Sequence, residues 1–184
     1  MNLEKIILEE HSKKQCDKIV RYIGNDKKRF AELMKLFFNG EYRVTQRAAW
    51  PMSYCVKKHP ELIQPYFKPL LDNLAKKNLH NAVKRNTVRL LQSVEIPKKY
   101  NGKLMNICFD FIQSNETAVA IKVFSLTILQ NLSKQYPEIL PEIKLVIEER
   151  WEHETVAFRT RAGKILKKQG ARNKAQNSNS RRPS

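Results

Sequence analysis

The chain has 184 residues, of which 41% are hydrophobic and 29% charged, a composition that suits a soluble globular domain or a short array of repeats. It contains only five glycines, and its apolar residues recur at helical rather than alternating spacing, which disfavours a β-rich domain. The net charge of +17 is uneven: residues 159–184 carry nine cations and no anion, whereas residues 111–158 carry four cations and seven anions.

The first half of the chain predicts a series of amphipathic helices. Short helices over residues 3–10 and 15–23 come first and do not match the pattern that follows, as is typical of a terminal cap over residues 1–26. A helix over residues 26–38 places an apolar stripe on one face and ends at Asn39-Gly40. Another follows over residues 43–58. Its apolar stripe is interrupted by Pro51, which predicts a kink.

The helix predicted over residues 61–75 carries internal prolines. Pro60 suits a first turn, but Pro65 and Pro69 each remove a hydrogen-bond donor, so we expect a bend or a late start. Further helices are predicted over residues 81–94, 100–112, 117–134, 138–149 and 155–168, with short connections that favour antiparallel neighbours. After residue 168 large apolar residues are absent, which predicts a disordered basic tail over residues 169–184.

The N-terminal apolar run is too short and too acidic for a signal peptide, and no uncharged stretch approaches the length of a membrane span. We therefore expect a cytosolic protein that does not enter a membrane. Cys16, Cys55 and Cys108 are widely spaced, with no CxxC pair and no histidine cluster, so neither a disulfide framework nor a metal site is predicted. Each cysteine is expected to be a small core residue.

Four segments, 42–49, 81–88, 118–125 and 155–162, align on cations that stand 37 or 38 residues apart. Each carries a cation at the same place near the start of a helix, namely Arg47, Arg85, Lys122 and Arg159. Such a period indicates similar helical units that bury their apolar faces by stacking on their neighbours. Arrays of this kind usually present a binding surface.

The pattern resembles the HEAT-repeat family, in which antiparallel helices A and B stack into a right-handed α-α superhelix. The likeness rests on residues 60–71 (PELIQPYFKPLL) and 137–143 (PEILPEI), which are similar to the proline-bearing A helices, and on the four aligned cations of the B helices. It implies an all-α solenoid over residues 1–168, with repeats at about 27–59, 60–95, 98–134 and 137–168 after the cap.

In that family an acidic residue six positions before the cation forms a ladder with neighbouring repeats. Here Glu41 precedes Arg47 and Glu116 precedes Lys122 by that interval, but Leu79 and His153 occupy the corresponding positions before Arg85 and Arg159. Two interpretations of the cations remain open. They form an incomplete ladder, or they join their neighbours on the inner face, where the resemblance places the B helices, to bind a macromolecule. The candidate binding residues are Arg43, Arg47, Lys84, Arg85, Arg89, Lys122 and Arg159.

No common catalytic or nucleotide-binding motif occurs, and no cofactor, metal or small-molecule substrate is indicated. The alkylpurine DNA glycosylases are enzymes with a HEAT-like fold, and as a family they rely on aromatic residues beside a carboxylate. Trp50 has no carboxylate near it before Glu61, and Trp151, although flanked by Glu152 and Glu154, lacks a second aromatic partner nearby. Packing between helices is therefore the preferred interpretation of both. We therefore expect a protein without enzymatic activity.

These observations favour a scaffold that binds another macromolecule through the concave face that the resemblance implies, with an acidic protein segment as the expected partner. Sequence-independent binding of nucleic acid through the same cations and the basic tail is the alternative.

Overall fold

The computed structural model describes the backbone of residues 2–179 and the side chains of residues 2–167. Within this part of the chain all regular structure is helical and no strand occurs, which confirms the all-α prediction. The α-helices are α1 (Leu3–Glu9), α2 (Lys13–Ile23), α3 (Lys27–Asn39), α4 (Tyr42–Lys58), α5 (Phe67–Leu74), α6 (Asn81–Leu91), α7 (Lys98–Gln113), α8 (Val119–Leu132), α9 (Leu140–Arg150) and α10 (Val156–Asn179). Three short 3-10 helices span Pro60–Tyr66, Pro137–Ile139 and Trp151–His153.

The described residues group into two compact units, which we treat separately. Unit 1 extends to Tyr100 and unit 2 begins at Asn101, so the division falls in the first turn of α7. The helices α3 and α4 lie within the predicted range 27–59, and α9 and the start of α10 lie within 137–168. The repeat boundaries themselves stay a prediction.

Helix α4 is the central helix of unit 1, because it packs against α1, α2, α3 and α6. Its buried face is formed by small and medium side chains that follow helical spacing, including Val44, Ala48, Met52 and Cys55. The opposing stripe of α3 is fully buried as predicted, with Phe30, Leu33, Met34 and Phe37 no more than 1% exposed. The burial of these two stripes holds α3 against α4.

The connection between α3 and α4 requires a residue without a side chain. A Cβ atom placed on Gly40 would lie 2.5 Å from the Leu36 carbonyl oxygen and 2.8 Å from Cγ1 of Val44. Both distances are shorter than van der Waals contact, so the close approach of the two helices depends on glycine at this position. The short turn Gly40-Glu41 then reverses the chain direction, so that α4 packs antiparallel to α3.

The prolines delay α5 as the sequence predicts. Residues Pro60–Tyr66 form a 3-10 helix, and the α-helix begins only at Phe67. Pro69 is therefore in the first turn of α5. The N–H groups of a first turn make no hydrogen bond within the α-helix, so the absence of an N–H at Pro69 costs none. Pro51 is instead buried inside α4 and leaves the Arg47 carbonyl without its usual donor.

The three cysteines are free and buried, which confirms that they are core residues. Burial raises the pKa of Cys16 to about 11 and those of Cys55 and Cys108 to about 12. These thiols therefore remain protonated and weakly nucleophilic at neutral pH.

The end of the chain differs in part from the sequence prediction. Helix α10 continues to Asn179, so its backbone includes residues 169–179, for which we expected disorder. This stretch contains alanine, arginine, lysine and glutamine, which have high intrinsic helix propensity. Residues 180–184 lie outside the described part of the chain, and the disordered tail stays a prediction there.

Candidate functional site

A single stripe of α4 faces away from its buried side. Its members follow one another at intervals of three or four residues, so at about 100° per residue they share one face of the helix. The stripe, which we call the α4 stripe, consists of Arg43, Arg47, Trp50, Tyr54 and Lys57. Cations therefore occupy its ends, with aromatic rings between Arg47 and Lys57.

The N-terminal elements cover the middle of the α4 stripe. Arg47 donates from Nη1 to the carbonyl oxygens of Ile7 at 3.3 Å and Leu8 at 2.9 Å. The Trp50 ring meets the His11 ring edge to face, with centroids 5.1 Å apart. Arg47 thus supplies donors to carbonyls at the C-terminal end of α1, a structural role, while Arg43 and Lys57 remain exposed.

The ring of Tyr54 has a different neighbour. The Lys13 ammonium of α2 lies over this ring, 4.7 Å from its centroid. At this distance the cation is attracted by the negative face of the aromatic ring. Tyr54 is half-buried, and one face of its ring contacts Lys13 of α2.

The cations of α6 are more open to solvent than those in the middle of α4. Arg85 and Arg89 are exposed and stand four residues apart on one face, whereas Lys84 is half-buried. Like charges at this spacing repel one another by a few tenths of a kcal/mol in an isolated helix. A bound anionic group would remove that repulsion, which makes Arg85 and Arg89 better ligand candidates than Arg47.

An aromatic pair joins the starts of α4 and α6. Tyr42, the first residue of α4, is 53% exposed, and its ring centroid lies 4.4 Å from that of His80. His80 also caps α6, since its Nδ1 accepts from the Ala82 N–H at 3.1 Å. The N-terminal ends of both helices therefore lie side by side, with Arg43 and Arg85 near them.

The electrostatics of this region favour an anion. A helix N-terminus carries partial positive charge, so a cation there adds to the field instead of offsetting it. Helix α4 has no side-chain cap at Glu41, which leaves its first amide groups without a side-chain acceptor. We call the exposed cations Arg43, Arg85 and Arg89, with the half-buried Lys84, the basic surface of unit 1.

Lys122 in unit 2 has a structural partner. Its side chain is 4% exposed and its ammonium is ion-paired with the Glu154 carboxylate, which is 3% exposed. The same carboxylate accepts from Nε of Arg150 at 2.9 Å. Glu154 precedes Arg159 by five residues rather than six. The ion pair therefore joins the third aligned segment to the residue just before the fourth, through an acid one position away from the one that the expected interval indicates.

Arg150 extends this network to the end of α7 and the following loop. It donates from Nη1 to the Gln113 carbonyl at 2.7 Å and from Nη2 to Oδ1 of Asn115 at 2.6 Å. Sequence reasoning missed Arg150, because two of its three acceptors are a backbone carbonyl and a loop amide. The signal that could have found it is the interval of four residues between Arg150 and Glu154.

The remaining cations of unit 2 lie on α10. Arg159 is half-buried there, and Arg161 donates from Nη2 to Oε1 of Gln130 on α8 at 2.6 Å. The Nε of Arg161 is buried without an acceptor, and desolvation lowers the pKa of this guanidinium. Arg161 therefore helps to hold α10 against α8, while the ligand role predicted for Arg159 stays a prediction.

The structure thus divides the seven candidate residues. It places Arg43, Arg47, Lys84, Arg85 and Arg89 on α4 and α6 of unit 1, and Lys122 and Arg159 in unit 2. Lys122 could reach a ligand only by leaving Glu154, so we do not include it in the basic surface. Binding by the other residues stays a prediction.

Two further features bear on the chemistry available to the chain. Within the residues that the structure describes, no three His, Cys, Asp or Glu side chains are grouped so that they could hold a metal ion. Over the same part of the chain, no helix combines the length and the apolar character that crossing a membrane requires.

Comparison with known proteins agrees with this architecture. The family model of the HEAT repeat domain matches residues 3–169, nearly the whole helical part of the chain. No curated protein and no solved structure matches the sequence. Because the family model covers far more than half of the sequence, the chain belongs to the HEAT-repeat family.

Proposed function

We propose that this chain is a scaffold whose basic surface on α4 and α6 binds an acidic segment of a partner protein. HEAT-repeat domains typically serve as non-enzymatic scaffolds for protein interactions, and the partner and the surface are our inference. The observation that carries the proposal is the exposure of Arg43 and Arg85 near two adjacent helix N-termini, with Arg89 exposed one turn further along α6 on the same face as Arg85.

The local charge balance supports an anionic partner. Residues 1–100 contain 21 cations and 10 anions, so unit 1 attracts acidic groups over a wide area. Arginine also suits carboxylate recognition, because its planar guanidinium donates two parallel hydrogen bonds to the two carboxylate oxygens. Arg85 and Arg89 could therefore bind successive acidic residues of an extended segment.

A direct test compares charge reversal on this surface with charge reversal elsewhere in unit 1. One variant changes Arg43, Arg85 and Arg89 to glutamate. The matched control changes three exposed lysines outside α4 and α6, namely Lys27, Lys35 and Lys76, to glutamate and so alters the net charge equally. Fluorescence anisotropy of a pool of glutamate-rich peptides at low salt should show more than tenfold weaker binding for the first variant and a smaller loss for the control. Equal loss in both variants would contradict the assigned surface.

Nucleic acid is the second candidate ligand, and the nine cations without an anion over residues 159–184 favour it. The same titration with random-sequence duplex DNA separates the two candidates. Binding to DNA at low salt that exceeds binding to the peptides and weakens when residues 169–184 are removed would favour nucleic acid. Undetectable DNA binding would exclude it, since low salt is the condition most favourable to counterion release.

A further inference from the structure

A groove lies between the C-terminal halves of α4 and α6 in unit 1. Its volume is about 690 Å³. It is lined by side chains of α4, by Pro60, and by the last turn of α6 and the four residues Gln92 to Glu95 that follow it. Ligand pockets typically have volumes of roughly 300–1,000 Å³, so the groove could hold a large side chain together with the adjoining backbone of a peptide.

The groove combines an apolar floor with charged edges. Val56 and Leu90 are 1% and 3% exposed and form the floor, while the half-buried Val94 and Tyr54 add apolar wall. Lys57 and Arg89 stand exposed at its edges. Among the described residues that line it, Glu95 is the single carboxylate.

The position of the two cations indicates which kind of anion suits the groove. Lys57 and Arg89 lie in the last turns of α4 and α6, where each also offsets the negative end of a helix dipole. The field inside the groove is therefore only moderately positive. A single carboxylate matches it better than a doubly charged phosphate, and the apolar floor must supply the rest of the affinity.

The groove is also continuous with the basic surface. Arg89 belongs to both, because it lines the groove and shares the exposed face of α6 with Arg85. A peptide whose acidic residues contact Arg85 and Arg89 therefore extends directly over the apolar floor.

We propose that this groove receives one large apolar side chain of the acidic partner segment, with a neighbouring carboxylate of that segment bound by Lys57 or Arg89. This inference rests on the proposed function and specifies the partner further. The partner segment contains a leucine-sized or phenylalanine-sized anchor beside acidic residues, rather than acidic residues alone.

The test uses degenerate glutamate-rich peptide libraries that differ only at a fixed central residue, which is Leu, Phe, Ser or phosphoserine. Binding is measured by fluorescence anisotropy to the full chain. We expect the Leu and Phe libraries to bind at least tenfold more tightly than the Ser library, because the anchor buries its apolar surface in the groove. The phosphoserine library should show no such gain.

A pair of tryptophan variants tests whether the preference for the Leu library over the Ser library arises in the groove. Ser93→Trp fills the groove without changing charge, and Asn78→Trp adds the same bulk at an exposed position that does not line it. In Ser93→Trp the Leu library should bind no more tightly than the Ser library, so the ratio of their affinities should be close to one, and the Ser library should still bind. Asn78→Trp should leave the ratio unchanged.

A second pair tests the charged edge. Lys57 and Lys58 are adjacent and exposed in the last turn of α4, but only Lys57 lines the groove. Lys57→Gln should weaken binding of the Leu library about threefold more than Lys58→Gln. Equal effects would contradict a role of Lys57 as a direct carboxylate ligand.

The outcomes distinguish this inference from the proposed function. Equal binding of the Leu and Ser libraries by the unmodified protein would contradict the proposal that the groove receives an apolar side chain. The proposal that the protein binds an acidic segment would still stand. No binding of any library would overturn both. Tighter binding of the phosphoserine library, or of a 20-nucleotide single strand, that is lost in Ser93→Trp would identify a phosphate ligand instead and overturn the anchor.

A cross-linking measurement on the unmodified chain keeps the test independent of variant folding. A benzophenone placed at the anchor position of a glutamate-rich peptide should cross-link to residues 53–60 or 89–95, identified by mass spectrometry. Cross-links confined to other segments would contradict the proposed groove.

Discussion

Lys122 and Glu154 form a buried ion pair within unit 2, joining α8 to the turn before α10. The Glu154 carboxylate also binds Arg150, so one acid serves two cations from two helices. Partners in this network are not equivalent. Without Glu154 both cations lose their carboxylate, and Arg150 keeps only its bonds to Gln113 and Asn115. Without Lys122, in contrast, the carboxylate keeps Arg150.

This asymmetry gives the first prediction. Glu154→Gln should lower the free energy of unfolding of unit 2 by about 3–5 kcal/mol, the usual cost of leaving buried charge unpaired. Lys122→Met should cost less, about 1–3 kcal/mol. The exposed pair of Lys144 and Glu148, at 3.5 Å, provides the control, and Lys144→Gln should change the free energy by less than about 0.5 kcal/mol.

Urea titration followed by fluorescence measures these values. Unit 2 contains Trp151 and unit 1 contains Trp50, so a Trp50→Phe background makes the signal specific to unit 2. A smaller loss for Glu154→Gln than for Lys122→Met would contradict the shared role of the acid.

The second prediction concerns Arg47. Replacement by alanine removes the donor that serves the carbonyls of Ile7 and Leu8, so the stability of α1 should fall by about 1 kcal/mol. Hydrogen exchange of the α1 amides should become faster while that of α3 stays unchanged. Arg43→Ala, on the same stripe but exposed, serves as the control and should leave α1 exchange unchanged. Unaltered exchange in Arg47→Ala would argue against its structural role.

The third prediction concerns pH and the start of α3. The backbone amides of Arg29 and Lys28 donate to the Asp26 carboxylate, which holds its pKa below the ordinary value of 3.8. A lowered folded-state pKa means that the cap stabilises unit 1 fully above about pH 4. This stabilisation is lost as pH falls through the lowered pKa.

The test compares the chain with Asp26→Asn, which keeps a side-chain acceptor but does not titrate. The unmodified chain should have the higher Tm at pH 7, because its charged cap also interacts with the helix dipole. The difference in Tm between the unmodified chain and Asp26→Asn should be smaller at pH 2.5. A Tm difference that is the same at both pH values would refute the role assigned to the ionised cap.

Much of the fold could be predicted from the sequence because it depends on local periodicity. The stripe from Phe30 to Phe37 is buried as its spacing indicates, and α5 starts late because Pro65 and Pro69 prevent an earlier α-helix. The extent of α10 was less predictable, since helix propensity and the absence of apolar residues point to different outcomes there.

The site was only partly predictable, because its contacts depend on geometry between helices. The pairing of Lys122 with Glu154 crosses 32 residues and departs by one position from the expected interval. Arg47 binds backbone carbonyls, which no side-chain pattern marks. The groove beside Arg89 arises from the packing of α4 on α6 and has no sequence signature.

The central claim is that the exposed arginines of α4 and α6, rather than all of the aligned cations, contact the partner. Heteronuclear NMR of the arginine Nε–H groups, recorded while a glutamate-rich peptide is added, tests it most directly. Arg43, Arg85 and Arg89 should shift and saturate with one common Kd, while Arg47 and Arg150, bonded within the protein, should stay in place. Shifts confined to arginines after residue 158, or shifts of Arg47 and Arg150 without Arg85 and Arg89, would contradict the account.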